Sequence, residues 1–137
     1  MKKILFLLFL VIPFLASAQY AFDEVFYFDN NKNVRIQIES SGNSYLTFRT
    51  GNSVELQYNN AKVQKNYSAG TKTHLEFVRG YALSLELAII EMSDDSSRVS
   101  LYLKDGHGPT IVFTTKDNNK TRDNRAKFLH LKSLLKK

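Results

Sequence analysis

The feature that most constrains the fold of this chain is a twelve-residue stretch, 81–92, in which side chains alternate with a period of two. The large residues of one set of alternate positions are Tyr81, Leu83, Leu85, Leu87 and Ile89. This period is typical of a strand with one face against a core. Because the stretch is longer than most strands, it predicts a central strand. The same register assigns Glu91 to the inward face, and we expect a bulge or the end of the strand to bring this carboxylate to water.

Seven further segments show strand patterns, and polar or glycine-containing connections separate them. The segments are 24–28, 34–39, 45–49, 54–58, 73–78, 98–104 and 110–115. Their predicted inward residues are Val34, Ile36, Ile38, Leu46, Phe48, Val54, Leu56, Tyr58, Val99, Leu101, Leu103, Ile111 and Phe113. In the first segment Phe26 and Phe28 share one face and Tyr27 takes the other. The polar residues 59–72 are predicted to form a long mobile loop.

The pattern changes to helical over about residues 121–136. Apolar side chains recur there at steps of three and four and form a broad stripe, which predicts that the helix docks on the sheet. The residues of the stripe are Ala126, Phe128, Leu129, Leu131, Leu134 and Leu135. Asp123 is assigned to the first turn and Lys132 to the last, where their charges favour the helix dipole.

Strands and helix together predict a mainly β domain, residues 19–137, closed by one C-terminal α-helix. Short connections make sequential strands neighbours, so the expected topology is an antiparallel meander of seven or eight strands. Because exposed strand edges must be hidden, we expect a curled sheet or a small barrel.

The first eighteen residues have the three parts of a secretory signal peptide. Lys2 and Lys3 precede an apolar run, 4–15, and the sequence Ala16-Ser17-Ala18 matches a cleavage site. The run is too short for a comfortable membrane span. We therefore expect cleavage between Ala18 and Gln19 and export of the mature chain to the periplasm or the exterior.

The residues that usually carry catalysis or bind metals form no recognisable motif. The chain has no cysteine, and His74, His107 and His130 lie at no metal-ligand spacing. A G-x-S-x-G elbow is missing. Residues 29–33 begin like a calcium loop, but Val34 and Ser40 replace the required glycine and glutamate. These observations favour a non-enzymatic role without a cofactor.

The basic charge of the chain is concentrated at its C-terminal end. Residues 116–137 contain eight Lys or Arg and two acidic residues. The expected interaction surface consists of Lys120, Arg122, Arg125, Lys127, Lys132, Lys136 and Lys137, together with Tyr20 and Phe22 near the mature N-terminus. Another exported protein or an anionic surface would suit it. Nucleic acid is disfavoured by export and by the lack of interleaved aromatics. The interpretation that the width of the apolar stripe favours is that these cations are the solvated face of a helix whose other face covers the core.

The C-terminal third of the chain is similar to the last strand and closing helix of pleckstrin-homology-like domains. The resemblance consists of 111–113, a polar turn with Asp117, and the apolar helix positions from Ala126 to Leu134. It implies a curled barrel plugged by a helix. The chain departs from that family in lacking the helix tryptophan and in having one strand more. The alternative architecture resembles the lipocalins, although the expected glycine-tryptophan pair is missing.

Three functions are compatible with these patterns. The leading hypothesis is an exported, non-enzymatic binding or protein-interaction module. The first alternative is a carrier that holds a small apolar ligand inside a β-barrel, and its mark would be inward residues too small to fill the interior. The second alternative is a hydrolase with a site assembled across strands, which requires His107 to lie beside a Ser or Asp.

Overall fold

The computed structural model describes residues 19–69, 72–81, 84–103 and 109–135, with backbone alone for 60–69, 72–81, 84–88 and 103. Eight strands and one helix follow in order. They are β1 (Tyr20–Tyr27), β2 (Lys32–Glu39), β3 (Asn43–Thr50), β4 (Ser53–Ala69), β5 (Lys72–Tyr81), β6 (Ser84–Ser93), β7 (Arg98–Leu103), β8 (Ile111–Thr114) and α1 (Asn118–Leu135). The predicted fold class, mainly β with one C-terminal helix, is confirmed.

Every strand pairs antiparallel with the next, so the sheet is a meander ordered from β1 to β8. Register shifts within the β1–β2, β3–β4 and β4–β5 ladders mark bulges, which increase the coiling of a sheet. Among the described residues β1 and β8 form no ladder with each other. Asp29, which follows β1, donates a backbone hydrogen bond of 2.9 Å from its N–H to the carbonyl oxygen of Thr114, the last residue of β8. The sheet is therefore curled but not closed into a barrel.

The core lies on the inner face of this sheet, where the predicted alternation is largely confirmed. Inward side chains of β1, β2, β3 and β7 are buried almost completely, because apolar residues at every second position face the same side. These residues are Phe26, Val34, Ile36, Leu46, Phe48, Val99 and Leu101. As predicted, Tyr27 points away from them and is 50% exposed.

Three strand predictions are corrected by the structure. Val54 is 51% exposed, because the ladder shifts between Phe48 and Arg49 and places Val54 opposite the outward Arg49. In β6 the buried residues are Ile90 and Met92, so Ile89 and Glu91, which the predicted register assigned to the inward face, lie on the opposite face.

The third correction concerns residues 59–72, which do not form a loop. β4 continues through Ala69 and pairs with β5 from Lys62 onward. The backbone hydrogen bonds that join a strand to its two neighbours form whether its side chains are polar or apolar. The polar composition of residues 59–72 was therefore not evidence for a loop.

Helix α1 packs against β1 and begins three residues before its predicted boundary. Asp117 is its N-cap: the carboxylate oxygen Oδ1 accepts hydrogen bonds from the backbone N–H groups of Asn119 (2.8 Å) and Lys120 (3.3 Å). Asp123, predicted for the first turn, consequently lies in the second.

The buried face of α1 is narrower than the sequence predicted from the apolar stripe. It consists of Asn124, Phe128 and Leu131, with Leu134 and Leu135 partly buried against the core. Leu129 is 53% exposed and Ala126 is exposed as well. The reason is that the helix lies mainly along β1, with a smaller contact to β4, so residues more than a quarter turn from that line of contact remain in solvent.

Candidate functional site

The candidate site includes two tight turns that lie side by side at one end of the sheet. In the β1–β2 turn, Asn30 and Asn31 have φ values of 60° and 62°. The N–H of Lys32 donates to Asp29 O, and the N–H of Phe28 donates to Lys32 O. Positive φ at both central residues matches the type I′ turn that favours tight hairpins and accepts asparagine.

The β3–β4 turn is hydrogen-bonded to the first turn through Gly51. The Gly51 N–H donates to Asn31 O at 2.7 Å, and Asn33 Nδ2 donates to Gly51 O at 3.3 Å. Gly51 has φ of 59°, and a Cβ there would lie 3.0 Å from Asn31 Nδ2. Glycine is thus required for both conformation and contact. The two turns hold the carboxamides of Asn31 and Asn52 at the same edge of the sheet.

A row of four outward side chains crosses the sheet next to these turns. Tyr27 is opposite Asn33, Asn33 is opposite Arg49, and Arg49 is opposite Val54. Directly opposite residues of an antiparallel pair share one face, with Cβ atoms about 5 Å apart. The ladder register therefore aligns a phenol ring, a carboxamide and a guanidinium that are far apart in sequence.

Arg49 has no acidic partner among the described residues, in contrast to the nearby cations Arg35 and Lys32 of β2. Arg35 forms two hydrogen bonds of 2.9 Å with Asp23, and this pairing lowers the pKa of the Asp23 carboxyl. Lys32 forms a 2.8 Å salt bridge with Glu55. No side chain of the described residues pairs with Arg49. Its guanidinium remains available to an anion from solution.

Two neighbouring clefts meet at this row. The outer groove, of about 460 Å³, is lined by Val25, Tyr27, Asn31, Asn33, Arg49 and Asn52, with Gly51 between the turns. The helix cleft, of about 330 Å³, shares three of these residues and is completed by Phe28, Lys32, Lys120, Asp123 and Asn124. Tyr27, Asn31 and Asn33 belong to both clefts, so an extended ligand can contact both at once.

Helix α1 forms the other side of the site by binding the free edge of β1. Asn124, which is fully buried, accepts from Tyr27 N–H at 3.1 Å and donates from Nδ2 to Tyr27 O at 2.9 Å. Lys127 Nζ donates to Val25 O at 2.6 Å and lies 5.1 Å from the centre of the Tyr27 ring. These side chains satisfy backbone groups that an edge strand would otherwise expose.

The predicted basic surface is divided between two faces of α1. Lys120 and Lys127 face the sheet and donate to backbone oxygens, Lys120 to Phe28 O just after β1 and Lys127 to Val25 O within β1. Arg122 and Arg125 face solvent, and Lys132 lies 5.9 Å from the Phe128 ring centre. Lys136 and Lys137 lie outside the described residues. Among the described residues, the cations of this segment are therefore divided between contacts with the sheet and positions in solvent.

The two aromatic residues near the mature N-terminus that were predicted to contact a partner differ in their exposure to solvent. Tyr20 is 41% exposed, as an interaction residue should be. Phe22 is 2% exposed, with its ring centre 5.6 Å from that of His130. We correct the prediction for Phe22: it is a core residue, because it shares the inward face of β1 with Phe26.

Asp29, the first residue of the calcium-like segment, serves to join elements of the fold. Its carboxylate accepts hydrogen bonds from Thr115 Oγ1 at 2.7 Å and Lys116 N–H at 3.0 Å, and Lys120 Nζ is 3.7 Å away. The Thr115 hydroxyl is the main cause of a lowered pKa at Asp29. The carboxylate thus connects the β1–β2 turn to the segment that precedes α1.

Other predicted features lie beyond what the structure describes. His107, on which the hydrolase alternative depends, and the signal peptide are outside the described residues, as is the side chain of His74. In the described part of the chain, no three His, Asp or Glu side chains gather in the manner of a metal site. The described helix is not long and apolar enough to cross a membrane.

Comparison with known protein families, curated proteins and solved structures yields no match to this chain. The outer groove is also a site that sequence reasoning did not identify. The outward position of Tyr27 was predictable from the alternation around Phe26 and Phe28. The alignment of Tyr27 with Arg49 depends on two ladder registers, which no local pattern reports.

Proposed function

We propose that this protein is an exported, non-enzymatic binding module and that its ligand binds in the outer groove. The observation that carries the proposal is the row of Arg49, Asn33 and Tyr27, in which Arg49 is a cation of the outer face without an acidic partner among the described residues. Binding sites combine a shaped surface with a few well-placed polar groups, and this row has both.

The packing of the inner face supports a surface site in preference to an internal one. Phe26, Phe48 and Leu101 are each less than 2% exposed and occupy the concave side of the sheet with the rest of the core. A carrier of a small apolar ligand would need smaller inward residues to leave space. A ligand that approaches from solvent meets the outer groove without any change in this core.

Some cations of the helix bond to backbone oxygens and others are exposed to solvent. This division supports the outer groove, rather than the basic helix, as the ligand-binding site. Lys120 and Lys127 bond to the backbone oxygens of Phe28 and Val25 and cannot leave without exposing these oxygens. Arg122 lies 3.7 Å from Asp123, and both side chains are mostly exposed. Such exposed charges contribute little individually to specific binding.

Nuclear magnetic resonance of the ¹⁵N-labelled protein tests the proposal. The full chain is expressed with residues 1–18, purified as the host releases it, and titrated separately with oligosaccharides, peptides, fatty acids and phospholipid nanodiscs. We expect one class to shift the backbone amides of Asn31, Asn33 and Asn52, and Arg49→Gln to abolish the shifts.

Each alternative predicts a different set of shifted signals. Shifts confined to Arg122 and Arg125 would identify the helix as the binding surface. Shifts confined to buried residues such as Leu46 and Phe48 would favour the carrier. If none of the ligand classes shifts the backbone amide signals of Asn31, Asn33 and Asn52, the proposed function is wrong. Native mass spectrometry of the same sample adds an independent check, because a carrier would retain ligand mass that is lost on denaturation.

A further inference from the structure

The chemistry of the outer groove narrows the class of ligand. Among the described residues, its polar lining consists of the guanidinium of Arg49, the carboxamides of Asn31, Asn33 and Asn52 and the phenol of Tyr27, without a carboxylate. A carboxamide both donates and accepts hydrogen bonds, whereas a guanidinium only donates and matches the oxygens of an anionic group. A ligand with many hydroxyls and one negative charge per unit would satisfy both kinds of group.

Tyr27 adds a flat apolar surface to these donors. Half of its side chain is exposed, and the ring forms a wall of both the outer groove and the helix cleft. Lys127 Nζ is held 5.1 Å from the ring centre by its bond to Val25 O. Aromatic rings with a polar tip are suited to ligands that are apolar on one face and wet at the rim. The C–H face of a sugar ring has this character.

The helix cleft continues the same chemistry in a second position. Lys32 and Lys120 lie in it, with Asp123 as the acidic residue of its lining, and it shares Tyr27 with the outer groove. A linear ligand can thus contact Arg49 with one unit and continue past Tyr27 into the helix cleft with the next. Lys32 is paired with Glu55 at 2.8 Å and Lys120 lies 3.7 Å from Asp29, so among the described lining residues Arg49 is the cation that can meet a charged unit.

We propose that the outer groove binds an acidic oligosaccharide. A carboxylate or sulfate of the sugar accepts hydrogen bonds from Arg49, its hydroxyls bond to the three carboxamides, and one ring lies against Tyr27. This inference rests on the proposed function, since it names the ligand class for the same groove. Carboxylate and sulfate share the chemistry that Arg49 recognises, and the experiment separates them.

Isothermal titration calorimetry and the amide shifts described above test the inference with three probes at low ionic strength. The probes are a galacturonic acid tetramer, a chondroitin sulfate tetrasaccharide and the neutral cellotetraose. We expect at least one acidic probe to bind with shifts at Asn31 and Asn52, to weaken as salt is added, and to exceed cellotetraose in affinity by about tenfold or more. The better of the two acidic probes identifies the anionic group.

Two groove variants and one matched control complete the experiment. Arg49→Gln should weaken the acidic probe by about tenfold or more, because a charge-assisted bond is lost. Tyr27→Val keeps a strand-forming residue but removes the ring, and should also weaken it. Arg122→Gln removes an equal charge from the exposed face of α1 and should change affinity by less than about twofold. Circular dichroism confirms that each variant is folded.

The outcomes separate this inference from the proposed function. Equal binding of cellotetraose and the acidic probes, or an unchanged affinity in Arg49→Gln, overturns the acidic-sugar assignment. If neither acidic probe binds while peptides, fatty acids or phospholipids shift the groove amides, the inference fails and the proposed function stands. If no ligand class shifts the groove amides, both fail.

Discussion

The carboxamide of Asn124 is the contact by which α1 holds the edge of β1, and its removal should destabilise the fold measurably. Asn124→Ala deletes the bonds to Tyr27 N–H (3.1 Å) and Tyr27 O (2.9 Å) and a longer one to Ser96 O (3.5 Å). The side chain is fully buried, so water cannot easily replace it. The structure predicts a loss of stability because polar groups of the backbone remain without partners.

The magnitude follows from the individual contributions. Two well-formed hydrogen bonds contribute about 1 kcal/mol each, and leaving the Tyr27 N–H desolvated adds about 1 kcal/mol. Alanine forms helix more readily than asparagine by about 0.6 kcal/mol, which offsets part of the loss. We therefore expect Asn124→Ala to lower the free energy of unfolding by about 2.5 kcal/mol.

Urea unfolding followed by far-ultraviolet circular dichroism measures this change, and amide hydrogen exchange at Tyr27 reports the lost contact directly. The matched control is Asn119→Ala, which alters an exposed asparagine of the same helix. It should be neutral or slightly stabilising. A loss below about 0.5 kcal/mol in Asn124→Ala, or unchanged exchange at Tyr27, would refute the role assigned to this carboxamide.

An aspartate at the same position gives a second test with a distinct pH dependence. Asn124→Asp places a carboxylate beside the carbonyl oxygens of Tyr27 and Ser96, and both burial and these acceptors favour its protonated form. Its pKa should therefore be higher in the folded than in the unfolded protein. The folded state then binds more protons, so stability should fall as the pH rises above about 4 and recover on acidification.

Three further changes test other parts of the fold. Asp117→Ala removes the N-cap of α1 and should lower the free energy of unfolding by about 1 kcal/mol in urea titrations. Ser96→Gly should raise the melting temperature, since Ser96 has φ of 60° and a buried hydroxyl without a partner among the described residues; an unchanged melting temperature would contradict this. Asp29 has a pKa below its ordinary value of 3.8, so its stabilising effect is present above that pH and is lost as the pH falls through the folded pKa. Asp29→Asn should consequently flatten the loss of thermal stability on acidification, and a curve as steep as that of the native protein would argue against the Thr115 hydrogen bond.

The structural use of Lys120 and Lys127 changes the interpretation of the basic C-terminal segment. Lys127 binds the backbone oxygen of Val25 in β1 and Lys120 that of Phe28 just after it, so part of the positive charge protects the edge of the sheet. Edge strands need such protection because their unpaired backbone groups can recruit another chain. Part of the positive charge that suggested an anionic partner for the helix therefore has a structural role within the protein.

Alternation of apolar and polar residues determined most of the architecture from the sequence alone. Eight strands were predicted and eight are observed, and the inward assignment of Val34, Ile36 and Ile38 is correct. Such patterns are local, since a strand that is half buried must place every second side chain in the core. The C-terminal helix was predictable for the same reason from its three- and four-residue steps.

The tertiary structure alone decided which residues meet. The bulge between Phe48 and Arg49 turned Val54 outward, and the line of contact with β1 left Leu129 in solvent. Ladder registers brought Tyr27, Asn33 and Arg49 into one row. These outcomes depend on contacts between segments distant in sequence, whereas periodicity specifies only which face of an element is apolar. For that reason the candidate site became visible only when the strands were paired.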